Sequence, residues 1–269
     1  MKRTILLLSL LLVMALLCVA CVKTSDDISG TSERVAGAYE GVLRVGVDDA
    51  FPPFTYQNDV GEYAGFDIEL ARATCARMNY SLVIVPIDWD RKFKMLDDGE
   101  IDCVWSAFTI EGREELCAFT PAYLSIGECY LVKQESDIMT AEDLAGKSLA
   151  VQTGTSAQEA LREEPEIMQN LSCIYELDGN ESVITYVSYN AADAALVDVG
   201  TATYHCMLHP DKYRILKEHV KDNSVGVGLR KDNTELRDKI AEALDALRQD
   251  GTMEHLARKW SLESYLVEE

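Results

Sequence analysis

The chain has 269 residues, a hydrophobic fraction of 48% and a formal net charge of −21. That length suits one large domain or two modest lobes. A surface this acidic is repelled by polyanions, which excludes a nucleic-acid partner.

The first segment, "MKRTILLLSLLLVMALLCVA", places Lys2 and Arg3 ahead of an uncharged apolar run that closes on small residues before Cys21. This is the layout of a secretory signal over 1–20; the alternative is a retained anchor, because the run approaches the length that spans a bilayer. The flanking "CVAC" favours removal and resembles a bacterial lipoprotein signal, in which Cys21 becomes the lipidated first residue. The next stretch, "VKTSDDISGTSERVAGAYEG", is rich in Ser, Gly and Thr and reads as a tether over 21–40 that buries no core. Folding is expected to begin near Gly41.

From there strand-like and helix-like runs alternate. "VLRVGV" (42–47) is a β-branched run stopped by the prolines of "DDAFPPF". "FDIELARATCARM" has Ile68, Ala71 and Cys75 at helical spacing. "SLVIVPI" (81–87) is a second strand, "DRKFKMLDDGE" a short helix ending at Gly99, and "IDCVWS" (101–106) a third strand. This β-α-β-α-β order predicts a parallel sheet with helices on its faces. The extended run "SIGECYLVK" (125–133) leads into a second unit. There a turn capped by Thr140 and Asp143 precedes a strand at 147–151, a helix from "GTSAQEALREE", a strand "NLSCIYEL", a helix "NESVITYVSY", the strand "DAALV" (193–197) and a helix "DVGTATYHCML". A second extended run, "SVGVGLR" (224–230), leads out, and the tail makes two helices broken at Gly251. Two crossings predict that the second unit is inserted into the first: lobe 1 is 41–127 plus 227–269, lobe 2 is 128–226, with hinge segments near 125–133 and 220–230.

In open parallel sheets ligands bind beyond the carboxyl ends of the strands. The residues placed there are Asp48, Asp49 and Phe51 after the first strand, Asp88, Trp89 and Asp90 after the second, and Ser106, Thr109 and Arg113 after the third. Arg113 offers a planar fork that suits a carboxylate; its competing reading is a surface residue paired with Glu111, Glu114 or Glu115. In "QTGTS", Gly154 permits a tight turn, and Thr155 and Ser156 open a helix whose free N–H groups favour an anion; the competing reading is an ordinary helix cap. Asp198 ends the apolar strand "DAALV" and is suited to accept from an ammonium, to cap the helix that follows, or to do both. Six cysteines follow Cys21, with no CxxC spacing among them, and their pairing stays open. His205 and His209 lie one helical turn apart, a spacing open to zinc, but no metal and no cofactor is expected.

The segments "LRVGVDDAFPPFTY", "GFDIELARA", "PIDWDRKFKMLDDGEIDCVWSAFTIEGREE", "FTPAYL", "LAGKSLAVQTGTSAQEAL" and "DAALVD", in this order, resemble the family-3 extracellular solute-binding proteins, the polar amino-acid receptors of ABC importers. The resemblance runs from Val42 to Trp260. It implies a two-lobed periplasmic-binding-protein-like α/β fold, each lobe a mainly parallel sheet flanked by helices, joined by two hinge strands. By the same resemblance Arg113, Thr109 and Ser156, in the turn with Thr155, hold an α-carboxylate; Asp198 and the Ser106 region hold the ammonium. Phe51 and Trp89 sandwich the side chain, and Asp48 reaches its far end. Two departures stand out: Ala107 replaces a hydrogen-bonding or Gly residue, and "SYNAADAAL" lacks a Gly-Arg before its Asp.

The function expected is capture of a free polar amino acid, cationic or amide-bearing, by a monomer that is tethered to the membrane through Cys21 and delivers to an ABC permease without catalysis. The alternative is an enzyme on the same fold that dehydrates prephenate or arogenate, with Asp48 or Asp88 as its acid.

Overall fold

In strand β1 (Gly41–Val47), Leu43, Val45 and Val47 are fully buried, the period-2 signature of a strand with one face on a core. The computed structural model describes residues 39–267, and its compact unit begins at Gly41. The expected signal, Cys21 and the tether lie outside the described residues.

In the first lobe β1 lies between β5 (Tyr80–Pro86) and β6 (Cys103–Val104), parallel to both, and β13 (Gly228–Arg230) runs antiparallel between β6 and β7 (Cys117–Phe119). Helix α1 (Phe66–Met78) packs Phe66, Ile68, Leu70, Ala71 and Cys75 into the core and ends at Asn79, whose φ of 56° closes the helix in a left-handed cap. A short helix α2 (Lys92–Asp97) precedes β6. Helices α7 (Thr234–Gln249) and α8 (Thr252–Lys259) return to the same core through Ile240, Leu244, Leu247, Met253 and Ala257.

The second lobe orders its strands β10-β9-β11-β8-β12. Strands β9 (Ser148–Gln152), β10 (Cys173–Leu177) and β11 (Ala194–Asp198) are parallel, whereas β8 (Leu124–Lys133) and β12 (Tyr213–Val225) pair antiparallel. Helices α3 (Ser156–Glu163), α4 (Pro165–Asn170), α5 (Asn180–Ser188) and α6 (Val199–Leu208) connect them. Both sheets are therefore mixed: a parallel trio extended by antiparallel strands. The antiparallel additions are the segments that carry the chain between lobes. Leu124 and Ile126 of β8 sit in the first lobe's core, and Cys129 and Leu131 sit in the second's.

Two elements depart from the sequence reading. The expected run 224–230 is the end of β12 plus β13, and β12 starts at Tyr213. Its charged "YRILKEHVKDN" hides the strand because β12 is an edge, where one flank meets water. The Pro-rich stretch after β1 also folds, as a small sheet of β2 (Ala50–Phe51), β3 (Thr55–Gln57) and β4 (Tyr63–Ala64). All six cysteines of the described residues are free thiols. His205 is buried edge-on against Tyr204 and Tyr213.

Candidate functional site

The nine residues Asp48, Phe51, Trp89, Ser106, Thr109, Arg113, Thr155, Ser156 and Asp198 all line one cavity of about 50 Å³ between the lobes. Most of them follow the carboxyl end of a sheet strand, and Asp198 is the last residue of β11, where helices and loops converge. Glu128, Gln152 and Asn180 line it as well.

The first wall is set by strand ends. Asp48 Oδ1 accepts from Ala50 N at 3.0 Å, and Oδ2 accepts from Gln152 Nε2 of the other lobe at 3.0 Å. Burial raises the Asp48 pKa, and those two donors offset part of the rise. The Ser106 hydroxyl accepts from Asp48 N at 3.2 Å and shares a 2.5 Å bond with Thr55 Oγ1. Ala107 adopts φ 42°, a left-handed conformation unusual for a residue with a Cβ. Its N–H donates to Asp67 Oδ2 at 2.6 Å, and Tyr123 donates to Asp67 Oδ1 at 2.8 Å. Asp67, on α1, thus braces the turn that presents Ser106 and Thr109. Its complete burial pushes its carboxyl up to about 7.

Arg113 is only 4% exposed. It does not pair with the carboxylates next to it in sequence: Nη2 donates to Glu159 Oε1 of the opposite lobe at 2.9 Å, and Nη1 donates to the Glu111 carbonyl at 3.1 Å. The guanidinium stands 5.7 Å from the Phe108 ring centre.

In the second wall, Thr155 caps α3, accepting from Gln158 N at 3.3 Å and donating to the Gln152 carbonyl at 2.8 Å. Ser156 Oγ accepts from Thr109 Oγ1 at 3.2 Å and donates to Glu128 Oε1 at 2.6 Å. Asp198 caps α6 through Thr201 N (2.8 Å) and Thr201 Oγ1 (2.7 Å), and burial pushes it up to about 6. Gly154, at φ 69°, brings its carbonyl to Trp89 Nε1 (3.2 Å) and Lys92 Nζ (3.3 Å). A Cβ there would sit 2.8 Å from Asp90 Oδ1, so the close approach requires glycine.

One expectation needs correction. Asp48, Asp49, Asp88 and Asp90, the acids after the first two strands, do not form one acidic wall: only Asp48 lines this cavity, and the other three are exposed along a neighbouring groove that Asp48 and Trp89 also border. Asp88 is spent on a cap, accepting from Asp90 N. The Lys92 ammonium lies 4.7 Å from the ring centre of Trp89. Lys92 itself is buried, which pulls it down to about 8. Glu128, absent from the sequence reading, sits in the apolar run of β8, and a lone charge in such a run is the signal that marks it.

A guanidinium, carboxylates and hydroxyls around one cavity are the groups that a buried zwitterion needs once its water is lost. The comparisons agree with that chemistry. Residues 43–263 match the description "Bacterial extracellular solute-binding proteins, family 3". The chain is similar to the histidine-binding periplasmic protein of Escherichia coli K12, at 32% identity over 81% of this chain and 86% of that one. It is similar to the L-cystine-binding protein TcyJ of the same organism, at 31% over 82% of each. In three dimensions it resembles the substrate-binding protein of an ABC uptake transporter from Streptococcus pneumoniae with bound histidine, with a TM-score of 0.80 and 29% identity over 84% of this chain and 95% of that one.

Proposed function

The chain belongs to the bacterial extracellular solute-binding proteins of family 3, and on that premise we propose that it captures one free amino acid between its lobes for an ABC permease. The observation that carries this reading is the convergence of Arg113 from lobe 1 with Asp198 from lobe 2 on a single cavity. Arg113, Thr109 and Ser156, with the Thr155 turn, take the α-carboxylate; Asp198 takes the ammonium, with Ser106 beside it; Phe51, Trp89 and Asp48 surround the side chain. Contributions from both lobes make ligand affinity differ between open and closed states, as closure on a ligand requires.

The charge balance supports a cationic or amide side chain. The ligand's own carboxylate and ammonium answer Arg113 and Asp198, which leaves the acid Asp48 beside the side chain, and Arg113 already meets Glu159. The names of the relatives, histidine and cystine binders, fall within or beside that class. The test is a thermal-shift screen of the twenty amino acids with cystine and ornithine. A ligand at a hundred times its Kd stabilises by ~2.7 kcal/mol. Shifts with acidic amino acids alone would overturn the charge argument, and a screen with no shift at all would overturn the receptor reading.

The rest of the reading follows from the sequence: lipidation at Cys21, tethering to the membrane through 21–40, a monomeric receptor and no covalent chemistry. Asp48, the acid that a dehydratase would recruit, is held at both oxygens. Turnover of prephenate that vanishes in Asp48→Asn would replace the receptor with an enzyme.

A further inference from the structure

Glu128 is a buried acid that the reading above leaves without a task. It lies on β8 directly opposite Asp198 on β11 in an antiparallel pair. Residues so placed point to the same face of a sheet, with Cβ atoms about 4.5–5.5 Å apart. Both side chains line the cavity, and Glu128 is 2% exposed.

Its two oxygens are treated differently. Oε1 receives Ser156 Oγ at 2.6 Å and Asn223 Nδ2 at 2.9 Å. Oε2 is buried and has no protein partner. The surrounding charged groups do not supply one. Lys221, opposite on β12, sends its ammonium to Glu163 at 2.7 Å. Arg113, across the cleft, is turned to Glu159 and the Glu111 carbonyl. Asp198 and Asp48 are acids themselves. A buried carboxyl oxygen without a hydrogen-bond partner costs free energy, and because Glu128 lines the cavity a ligand there can supply one.

We propose that Glu128 Oε2 is a ligand-binding atom which, together with Asp198, takes the α-ammonium of the bound amino acid. The assignment rests on the receptor reading and adds to it: the ammonium meets two carboxylates, one from a strand end and one from the hinge strand. Asp198 already spends an acceptor position of each oxygen on Thr201, so a second acid completes the shell of a group with three N–H bonds.

A consequence is proton release. Burial, with Asp198 adding to it, pushes Glu128 up to about 8, while Arg113, Ser156 and Asn223 work the other way. At neutral pH the empty cleft therefore keeps Glu128 protonated. An ammonium against Oε2 favours the carboxylate, and the proton passes to the buffer as ligand binds.

The test is calorimetric titration of the full chain at pH 7 in buffers of different ionisation enthalpy. The probe is the amino acid giving the largest shift in the thermal screen, with its own titration subtracted. A screen without a binder sinks the receptor reading; with a binder in hand, the results concern Glu128 alone. The expected result is release of close to one proton by the wild type. In Glu128→Gln the release is expected to disappear and Kd to rise about tenfold to a hundredfold. The amide oxygen of that variant still accepts from Ser156 and Asn223, so its ligand-free melting point serves as the folding control. A Glu128→Gln variant that binds the probe as tightly as the wild type would show that Glu128 is only a strut. If that variant does not fold, Glu128→Asp, whose shorter side chain draws the carboxylate back from the cavity, decides: an unchanged Kd overturns the assignment.

Discussion

Arg113 and Glu159 join the two lobes: Nη2 lies 2.9 Å from Oε1, with Arg113 nearly inaccessible and Glu159 half-exposed. The pair uses one of the five donors of the fork, the Glu111 carbonyl takes another from Nη1, and three are left for a ligand. The two partners therefore have unequal weight. Arg113→Lys removes the planar fork and is expected to weaken amino-acid binding by about 1.5–3 kcal/mol, roughly tenfold to a hundredfold. Glu159→Gln takes the charge from the half-exposed partner while its amide oxygen can still accept from Arg113, and is expected to cost about 0.2–1 kcal/mol. Calorimetry on both variants checks the ranking, and equal losses would contradict it.

Gly200 of α6 lies against Phe54 of the first lobe. A Cβ at this position would stand 2.7 Å from Phe54 Cζ and 3.1 Å from Asp198 Oδ1, and Phe54 is fully buried with no room to withdraw. Alanine favours a helix over glycine by ~1 kcal/mol, so the helix itself gains while closure is obstructed. Gly200→Ala is expected to leave the ligand-free melting point unchanged or slightly higher and to weaken binding by more than about tenfold. A melting point lowered in step with affinity would mean that the contact belongs to folding rather than closure.

Trp89 donates across the cleft to the Gly154 carbonyl, whereas Trp105 is sealed in the first lobe's core. Closure on a ligand changes the surroundings of Trp89 and leaves those of Trp105 alone. A ligand-dependent change in tryptophan emission is therefore expected, and Trp89→Phe should remove most of it while binding, followed by calorimetry, persists in weakened form.

Three buried acids have native pKa values above their ordinary range: Asp67 at about 7, Glu128 at about 8 and Asp198 at about 6. In the unfolded chain they titrate near 4. Between those limits the native state holds more protons, so these groups make stability fall as pH rises. Buried His205, pulled down to about 4, acts oppositely up to its unfolded value near 6.5. Lys92, pulled to about 8, acts oppositely above that. The window in which neither His205 nor Lys92 opposes the acids is thus pH 6.5 to 8. There the ligand-free melting point should decline, and Glu128→Gln should flatten the decline. A rising melting point across that window would refute the assignment.

Much of the site was legible in the sequence because the fold converts position into proximity. A residue just after a parallel strand must emerge at one edge of the sheet, so reading off strand ends was enough to bring Asp48, Ser106, Arg113, Thr155 and Asp198 to one cavity. Glu128 and Gln152 escaped because they sit within strands, where no loop announces them. Lys92 escaped because its partners, the Trp89 and Gly154 carbonyls, include one from the other lobe.

The chain by itself determined the alternation of elements, the two crossings between lobes and the residue types that suit a zwitterion, since these depend on local periodicity and on side-chain chemistry. Only the tertiary structure decided which charge meets which. Arg113 turned from its neighbours in sequence to Glu159, three of four acids in the supposed wall faced water, and Glu128 kept one oxygen for the cavity. Pairing of that kind depends on distance and desolvation between segments remote in sequence, and neither exists until the lobes have packed.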